Sequence, residues 1–251
     1  MRQLFACRRF LFLQSTALQI LLCLFAGIPM AAAQMPGQKM PGLSPVEVRE
    51  TSHGMLATAG KETLDVTVCA ESVIYVVARP EQPTSGAPQR PWMLEPQQSC
   101  GGAPFTVAQD AQSASLKTAK LEVTVSLERG NLSFRTVEGE SLLNEGSSIP
   151  RTYEPVELNG DHTFRVTDRF SPSSAEALFG LGQHQNGMFN YRGATIELAQ
   201  DNTDVAIPLL VSSKGYALMW NTAALTYVDN RFPLELTLSS IAGQSIDYCF
   251  L

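Results

Sequence analysis

Apolar positions along this chain recur every second residue, in short blocks. Leu121-Glu122-Val123-Thr124-Val125-Ser126-Leu127 alternates strictly, which places its apolar side chains on one face of a strand. Leu64-Asp65-Val66-Thr67-Val68 and Val73-Ile74-Tyr75-Val76-Val77 are β-branched runs of the same kind. Arg129-Gly130-Asn131 supplies a turn into Leu132-Ser133-Phe134-Arg135 and predicts a hairpin. Further strands are predicted at 163–167, 195–199, 208–212, 216–220, 234–238 and 246–251. Gly215 ahead of Tyr216 and Trp220 predicts a tight hairpin feeding a buried aromatic strand. Residues 80–102 carry Pro83, Pro88, Pro91 and Pro96 after Pro80, with Gly86, Gly101 and Gly102. They read as a long loop bearing Trp92. Short strands separated by turn signals, with little helical period, predict an all-β fold: a large antiparallel β-sandwich.

The first 33 residues stand apart from that pattern. Arg2, Arg8 and Arg9 precede an apolar run over 10–28, and Ala31-Ala32-Ala33 follows; this is the pattern of a cleaved signal peptide. Gln14, Ser15, Thr16 and Gln19 interrupt the run, leaving it too short for a hydrocarbon core of about 30 Å. The expectation is export, periplasmic or extracellular, with no membrane attachment after cleavage. Residues 34–45 read as a flexible leader.

Cleavage at that point would leave 218 residues with 15 Lys and Arg against 24 Asp and Glu, a net charge of −9. Such a surface repels phosphate backbones, so no nucleic-acid partner is expected, while a neutral sugar is compatible with it. Three cysteines would remain: Cys69, Cys100 and Cys249. Export permits a Cys69–Cys100 disulfide; the other reading makes all three small buried hydrophobes. No Cys/His spacing resembles a zinc site, and neither a metal nor a cofactor is expected.

One stretch is more specific. Leu178-Phe179-Gly180-Leu181-Gly182-Gln183-His184-Gln185-Asn186-Gly187 leads to Phe189-Asn190-Tyr191-Arg192-Gly193. Glu197-Leu198-Ala199-Gln200-Asp201-Asn202, Ile207-Pro208-Leu209-Leu210-Val211-Ser212-Ser213 and Gly215-Tyr216-Ala217-Leu218-Met219-Trp220-Asn221 follow in order. This succession resembles the N-terminal domain of family 31 glycoside hydrolases, a galactose-mutarotase-like β-sandwich, and within it the α-xylosidase-like members. Ser141-Leu142-Leu143-Asn144-Glu145 is a weaker match upstream. Residues 46–245 would be that domain. Residues 246–251 resemble the strand leading into the family's (β/α)8 barrel, so the chain is expected to lack the barrel.

What the resemblance implies about chemistry follows from that division. Retaining glycoside hydrolysis needs two nearby carboxylates, and the family carries them as aspartates on the barrel. Glu197, Asp201 and Asp204 are the local acids; 201–204 reads as a polar turn and not as a catalytic pair. No catalytic residue is assigned. The resemblance places a substrate-covering loop at Phe189, Asn190, Tyr191 and Arg192. Arg192 offers a fork of donors for a sugar oxygen or a partner such as Glu197, and Tyr191 or Phe189 offers a ring for a sugar's C–H face. Gly193 stands where α-glucosidase members resemble Asn-Arg-Asp, which directs the reading toward α-xylosides.

His184 would act near neutral pH or hold a turn made by Gly180 and Gly182. The implied partner is an α-xylosyl or α-glucosyl oligosaccharide, reached through the barrel. Self-association through an exposed barrel-facing surface is also expected. The chain reads as the non-catalytic part of an exported α-glycosidase. Its alternative is a stand-alone carbohydrate-binding module. A mutarotase-like epimerase, for which His162 has few acids nearby, finds no specific residues.

Overall fold

The computed structural model of the chain describes residues 45–81, 100, 102–146, 148–232 and 234–251. The expected signal peptide, the leader and most of the 80–102 loop, with Trp92, lie outside the described residues. Among the described residues the regular elements are all strands, and the predicted all-β class holds. The first four are β1 (Glu47–Thr51), β2 (Gly54–Ala59), β3 (Glu62–Ala70) and β4 (Val73–Pro80). A second group follows: β5 (Thr106–Gln109), β6 (Ser113–Lys117), β7 (Leu121–Ser126), β8 (Leu132–Thr136) and β9 (Ser141–Asn144). Next come β10 (Arg151–Leu158), β11 (Asp161–Phe170), β12 (Leu178–Gln183), β13 (Thr195–Leu198) and β14 (Val205–Ser212). The last are β15 (Ala217–Trp220), β16 (Thr226–Asp229), β17 (Leu236–Gly243) and β18 (Ile246–Phe250).

Three antiparallel sheets result. The eight-stranded one runs β1-β2-β3-β4-β18-β15-β14-β12; the two five-stranded ones run β10-β11-β17-β16-β13 and β5-β6-β7-β8-β9. Alternation translates directly into burial: Leu64, Val66 and Val68 of β3 and Leu121, Val123 and Val125 of β7 point into the core. Each such side chain contributes about 1.5–3 kcal/mol of apolar transfer. The predicted β7–β8 hairpin forms, with Gly130 at φ +74 and its amide donating to the Ser126 carbonyl at 2.8 Å. The β14–β15 hairpin forms too, turning at Gly215 and burying Tyr216 and Trp220.

Residues 246–250, anticipated at the boundary with a following barrel, lie inside the eight-stranded sheet between β4 and β15. Phe250 stacks on Phe134 of β8 at 4.2 Å, and Tyr248 meets Phe170 of β11 edge-on at 5.6 Å. One strand therefore packs against both smaller sheets. Of the two readings left open for the cysteines, the bonded one holds: Cys69 and Cys100 form a disulfide across 31 residues, while Cys249 is free and buried.

Closing a loop of that length restricts the unfolded chain. The double substitution Cys69→Ser/Cys100→Ser is expected to lower unfolding stability by about 3–4 kcal/mol. Urea unfolding of the two proteins checks it; an unchanged midpoint would show that the bond adds no stability.

Candidate functional site

The loop that gathers the candidate residues hangs from an irregular strand. Gly180, Leu181 and Gly182 have φ values of +92, +60 and +98. Gly180 lies opposite Leu210 and Gly182 opposite Ala206, so Leu181 faces three residues of β14, Pro208 among them. A Cβ on Gly180 would sit 2.3 Å from the Leu209 carbonyl oxygen, and one on Gly182 would sit 1.8 Å from that of Val205. These glycines were expected to form a turn. They belong instead to a bulged strand pair, and glycine is required because the neighbouring backbone approaches too closely for any side chain. Leu181 tolerates a left-handed conformation because its side chain is buried in the core.

His184 secures that conformation. Its Nε2 donates to the Leu181 carbonyl at 2.8 Å, and its Nδ1 lies 3.8 Å from Asp204 Oδ2. Asp204 Oδ1 in turn accepts the Gln185 amide at 3.1 Å. Asn190 works through its backbone neighbours: its Oδ1 accepts the amides of Leu178 and Arg192, both at 3.0 Å. The Tyr191 amide donates to the Leu178 carbonyl at 2.8 Å. Its ring is 6% exposed and meets His184 edge-on at 6.2 Å. Tyr191 therefore belongs to the core, which leaves Phe189, 83% exposed and 5.0 Å from Phe179, as the ring presented to solvent.

Arg192 Nη1 donates to the carbonyls of Ser173 at 2.7 Å and Glu176 at 3.3 Å. The segment it grips is fixed by the buried Glu176. That carboxylate accepts the Ser173 amide at 2.9 Å, the Ser212 hydroxyl at 2.6 Å and the Tyr216 hydroxyl. Burial, then the Glu176 hydrogen bond, pushes the Tyr216 phenol well above its ordinary range. The five candidates thus meet in one loop, where four hold backbone or core and Phe189 projects. Glu197 is exposed on β13, and Asp201 with Asp204 forms a polar turn closed by the Asp201 amide on the Asp204 carbonyl at 3.4 Å.

Asn230 escaped the sequence reading and links two loops. It is buried, its amide donates to the Ala194 carbonyl at 2.9 Å, and its Oδ1 accepts the Gly193 amide at 3.3 Å. Its Nδ2 donates to the Glu235 carbonyl at 2.6 Å. The Asp-Asn-Arg run around it reads as an ordinary strand end. The second loop exposes Phe232 and Leu234. On the outward face of the large sheet, Val205, Ile207 and Val211 of β14 are exposed. Tyr75 donates to Asp247 Oδ2 at 2.8 Å and Asn221 to Oδ1 at 3.1 Å. Burial pushes the Asp247 carboxyl up to about 6.

A family model described as the glycosyl hydrolase 31 N-terminal galactose mutarotase-like domain matches residues 63–229. An α-xylosidase of Saccharolobus solfataricus is 31% identical over 139 residues, covering 50% of this chain and 19% of its own length. An uncharacterised family 31 glucosidase, ORF2, of Pseudescherichia vulneris is 28% identical over 139 residues, covering 47% of this chain and 26% of its own. The chain therefore spans about a quarter or less of these relatives. A solved α-xylosidase from a soil metagenome, in complex with xylose, superposes with a TM-score of 0.70 at 25% identity. It covers 81% of this chain and 32% of that one.

Gly182→Ala is expected to lose about 3 kcal/mol or more, because the Val205 carbonyl must move. Gly187→Ala, with φ +68 and nothing within 4 Å of an added Cβ, should lose only about 1–2 kcal/mol. Denaturant unfolding of both variants checks the contrast. Asn230→Ala should cost about 1–3 kcal/mol by leaving buried backbone groups unpaired. Limited proteolysis should then cut first in the 184–194 or 230–235 loop.

Proposed function

The chain belongs to the glycosyl hydrolase 31 N-terminal galactose mutarotase-like domain family, and we propose that it is the non-catalytic sandwich of an exported α-glycosidase acting on α-xylosides. The family match over 63–229 carries this reading. The named relatives include α-xylosidases, and Gly193 follows Arg192 where the resemblance to α-glucosidase members would place an aspartate. Retaining hydrolysis then draws its nucleophile and its acid–base carboxylate from a partner barrel.

In that setting the sandwich supplies shape. His184, Asn190, Tyr191 and Arg192 set the path of the loop, and Phe189 offers a flat apolar surface to the C–H face of a sugar. The exposed Val205, Ile207 and Val211 give the outward face of β14 an apolar surface suited to burial against the barrel. Exposed Phe189 and Phe232 favour a second reading, a carbohydrate-binding module that works alone.

Two measurements separate the readings. The purified chain is expected to leave p-nitrophenyl α-xyloside uncleaved, and calorimetry with xylo-oligosaccharides should detect no binding. Micromolar affinity, lost in Phe189→Ala, would favour the module; enzyme-like turnover would sink both. Ile207→Lys should shift the chain toward monomer in sedimentation velocity without changing its circular dichroism, since it charges the face proposed for docking. Unchanged association would remove that face from the proposal.

A further inference from the structure

An ion cluster unrelated to the loop lies where the three sheets meet. Arg151 of β10 forms a fork on Glu62 of β3, Nε to Oε1 at 3.0 Å and Nη2 to Oε2 at 2.8 Å. Its Nη1 donates to Glu145, which follows β9, and its Nη2 donates to the Gly130 carbonyl at 3.0 Å. Asp168 of β11 stands directly opposite Arg151 in the β10–β11 ladder. Glu145 bridges to Phe170, two residues from Asp168 on the same face of β11. The side chains of Glu145 and Arg151 are 0% and 2% exposed, and Asp168 is wholly buried.

One guanidinium thus faces three carboxylates, of which Glu145 and Asp168 are fully buried, and full ionisation would leave two negative charges of the cluster uncompensated. Ions without partners at that depth cost far more than a proton taken from water. Hydrogen bonding points the same way. Glu145 Oε2 accepts from Arg151 and from the Leu132 amide at 2.7 Å, and Asp168 Oδ1 accepts the Arg169 amide at 2.8 Å. Their other oxygens, Glu145 Oε1 and Asp168 Oδ2, are buried without a partner within hydrogen-bond geometry, and the Tyr248 hydroxyl of β18 lies close enough to Glu145 to interact with it. Both carboxyls adjoin the same Arg151, and a proton gained by one of them turns one of these acceptors into a donor.

We propose that Glu145 and Asp168 form a buried proton-binding pair, with the Tyr248 hydroxyl facing it, which folds with one proton shared between the two carboxyls. The proton comes from solvent and turns one carboxylate into a donor to the other. The pair then keeps one negative charge, which Arg151 balances, and the second negative charge stays on the partly exposed Glu62, which also accepts the Tyr153 hydroxyl at 2.8 Å. Burial holds Asp168 and Glu145 above the ordinary carboxylate range. The nearby Glu145 charge raises Asp168 further, while Arg151 opposes both shifts. Tyr248 is pushed upward by burial and then by the same two carboxylates.

The sign follows from the direction. The folded state binds a proton that the unfolded chain releases above its ordinary carboxylate pKa. Stability is therefore full below that pKa and falls as pH rises, until the pair itself ionises. Above the pH at which the Asp247 carboxyl ionises, the folding constant should fall with rising pH, by at most about tenfold per pH unit. Asp168→Asn keeps the Oδ1 acceptor and supplies a permanent donor toward Glu145, so it should flatten this slope and raise stability at the alkaline end.

Urea unfolding of the full chain across that range, for the parent and Asp168→Asn, tests the pair. Infrared spectroscopy of the folded parent should show a protonated-carboxyl band that is absent from the variant. Should the variant fail to fold, proton release on unfolding the parent in weak buffer decides alone: about one proton supports the pair. A flat or rising parent profile without the carboxyl band would overturn it. Stability that tracks potassium, sodium or calcium at fixed pH would also overturn it, since a metal ion would then hold the carboxylates.

Discussion

The eight-stranded sheet is continuous only because β18 lies between β4 and β15. On one side it pairs with β4 from Ile246 opposite Ala78 to Phe250 opposite Ile74; on the other, Leu218, Met219 and Trp220 pair with Phe250, Cys249 and Tyr248. Its inward rings carry the packing of all three sheets. Phe250 lies against Phe134 and Tyr216, and Tyr248 lies against Phe170, Phe134 and Trp220. Each ring contributes burial, and each offset or edge-on pair adds about 0.5–1.5 kcal/mol. Because β4 and β18 are about 170 residues apart in sequence, these contacts close the longest loops in the fold. The strand that unites the sheet is expected to pair late.

That constraint explains why the candidate loop stands where it does. Once β18 fixes β15, the tight turn at Gly215 fixes β14, and β14 leaves β12 as the edge of the sheet. An open edge invites another strand, and three successive left-handed residues in β12 interrupt its regular donors and acceptors. The same irregularity launches the chain outward through His184 to Phe189 before Asn190 and Tyr191 return it to Leu178. Edge protection and loop presentation are one piece of backbone geometry.

Legibility followed the physics of each element. Strands whose alternation reflects a single buried face, β3, β7 and β8, were readable, as was the turn at Gly130. β10 was not: it is an edge strand with Pro155 and Glu154 in its middle, and an edge relaxes the rules that a central strand obeys. β12 was misread as a turn because glycine signals left-handed backbone without saying whether a turn or a bulge uses it. His184, Asn190, Tyr191 and Arg192 could be placed near a site by resemblance, yet their hydrogen bonds to Leu181, Leu178, Ser173 and Glu176 have no sequence signature. Arg151 and Glu62 are 89 residues apart, and no local pattern could pair them. The Cys69–Cys100 bond could be permitted by spacing and compartment, and only geometry could select it.

A polar joint at Arg151 is an expensive choice for the centre of an apolar sandwich. Leu or Met of similar volume would avoid desolvating a cation and three acids, and such replacements are often neutral or stabilising. What apolar side chains would not supply is direction. Apolar faces slide over one another at little cost, whereas the Arg151 fork donates to Glu62 in one orientation and leaves Nη1 pointing at Glu145. One side chain so defines how β10 of one small sheet lies against β3 of the large sheet and the end of β9 in the other. The hydrogen bond from Trp220 of β15 to Ser240 of β17 at 2.8 Å ties the large sheet to the β10-β11-β17-β16-β13 sheet a second time. A sandwich whose 184–192 loop takes its path from hydrogen bonds to several strands needs sheets that cannot shift register. Buried polar contacts that are costly to misalign meet that need better than additional apolar area.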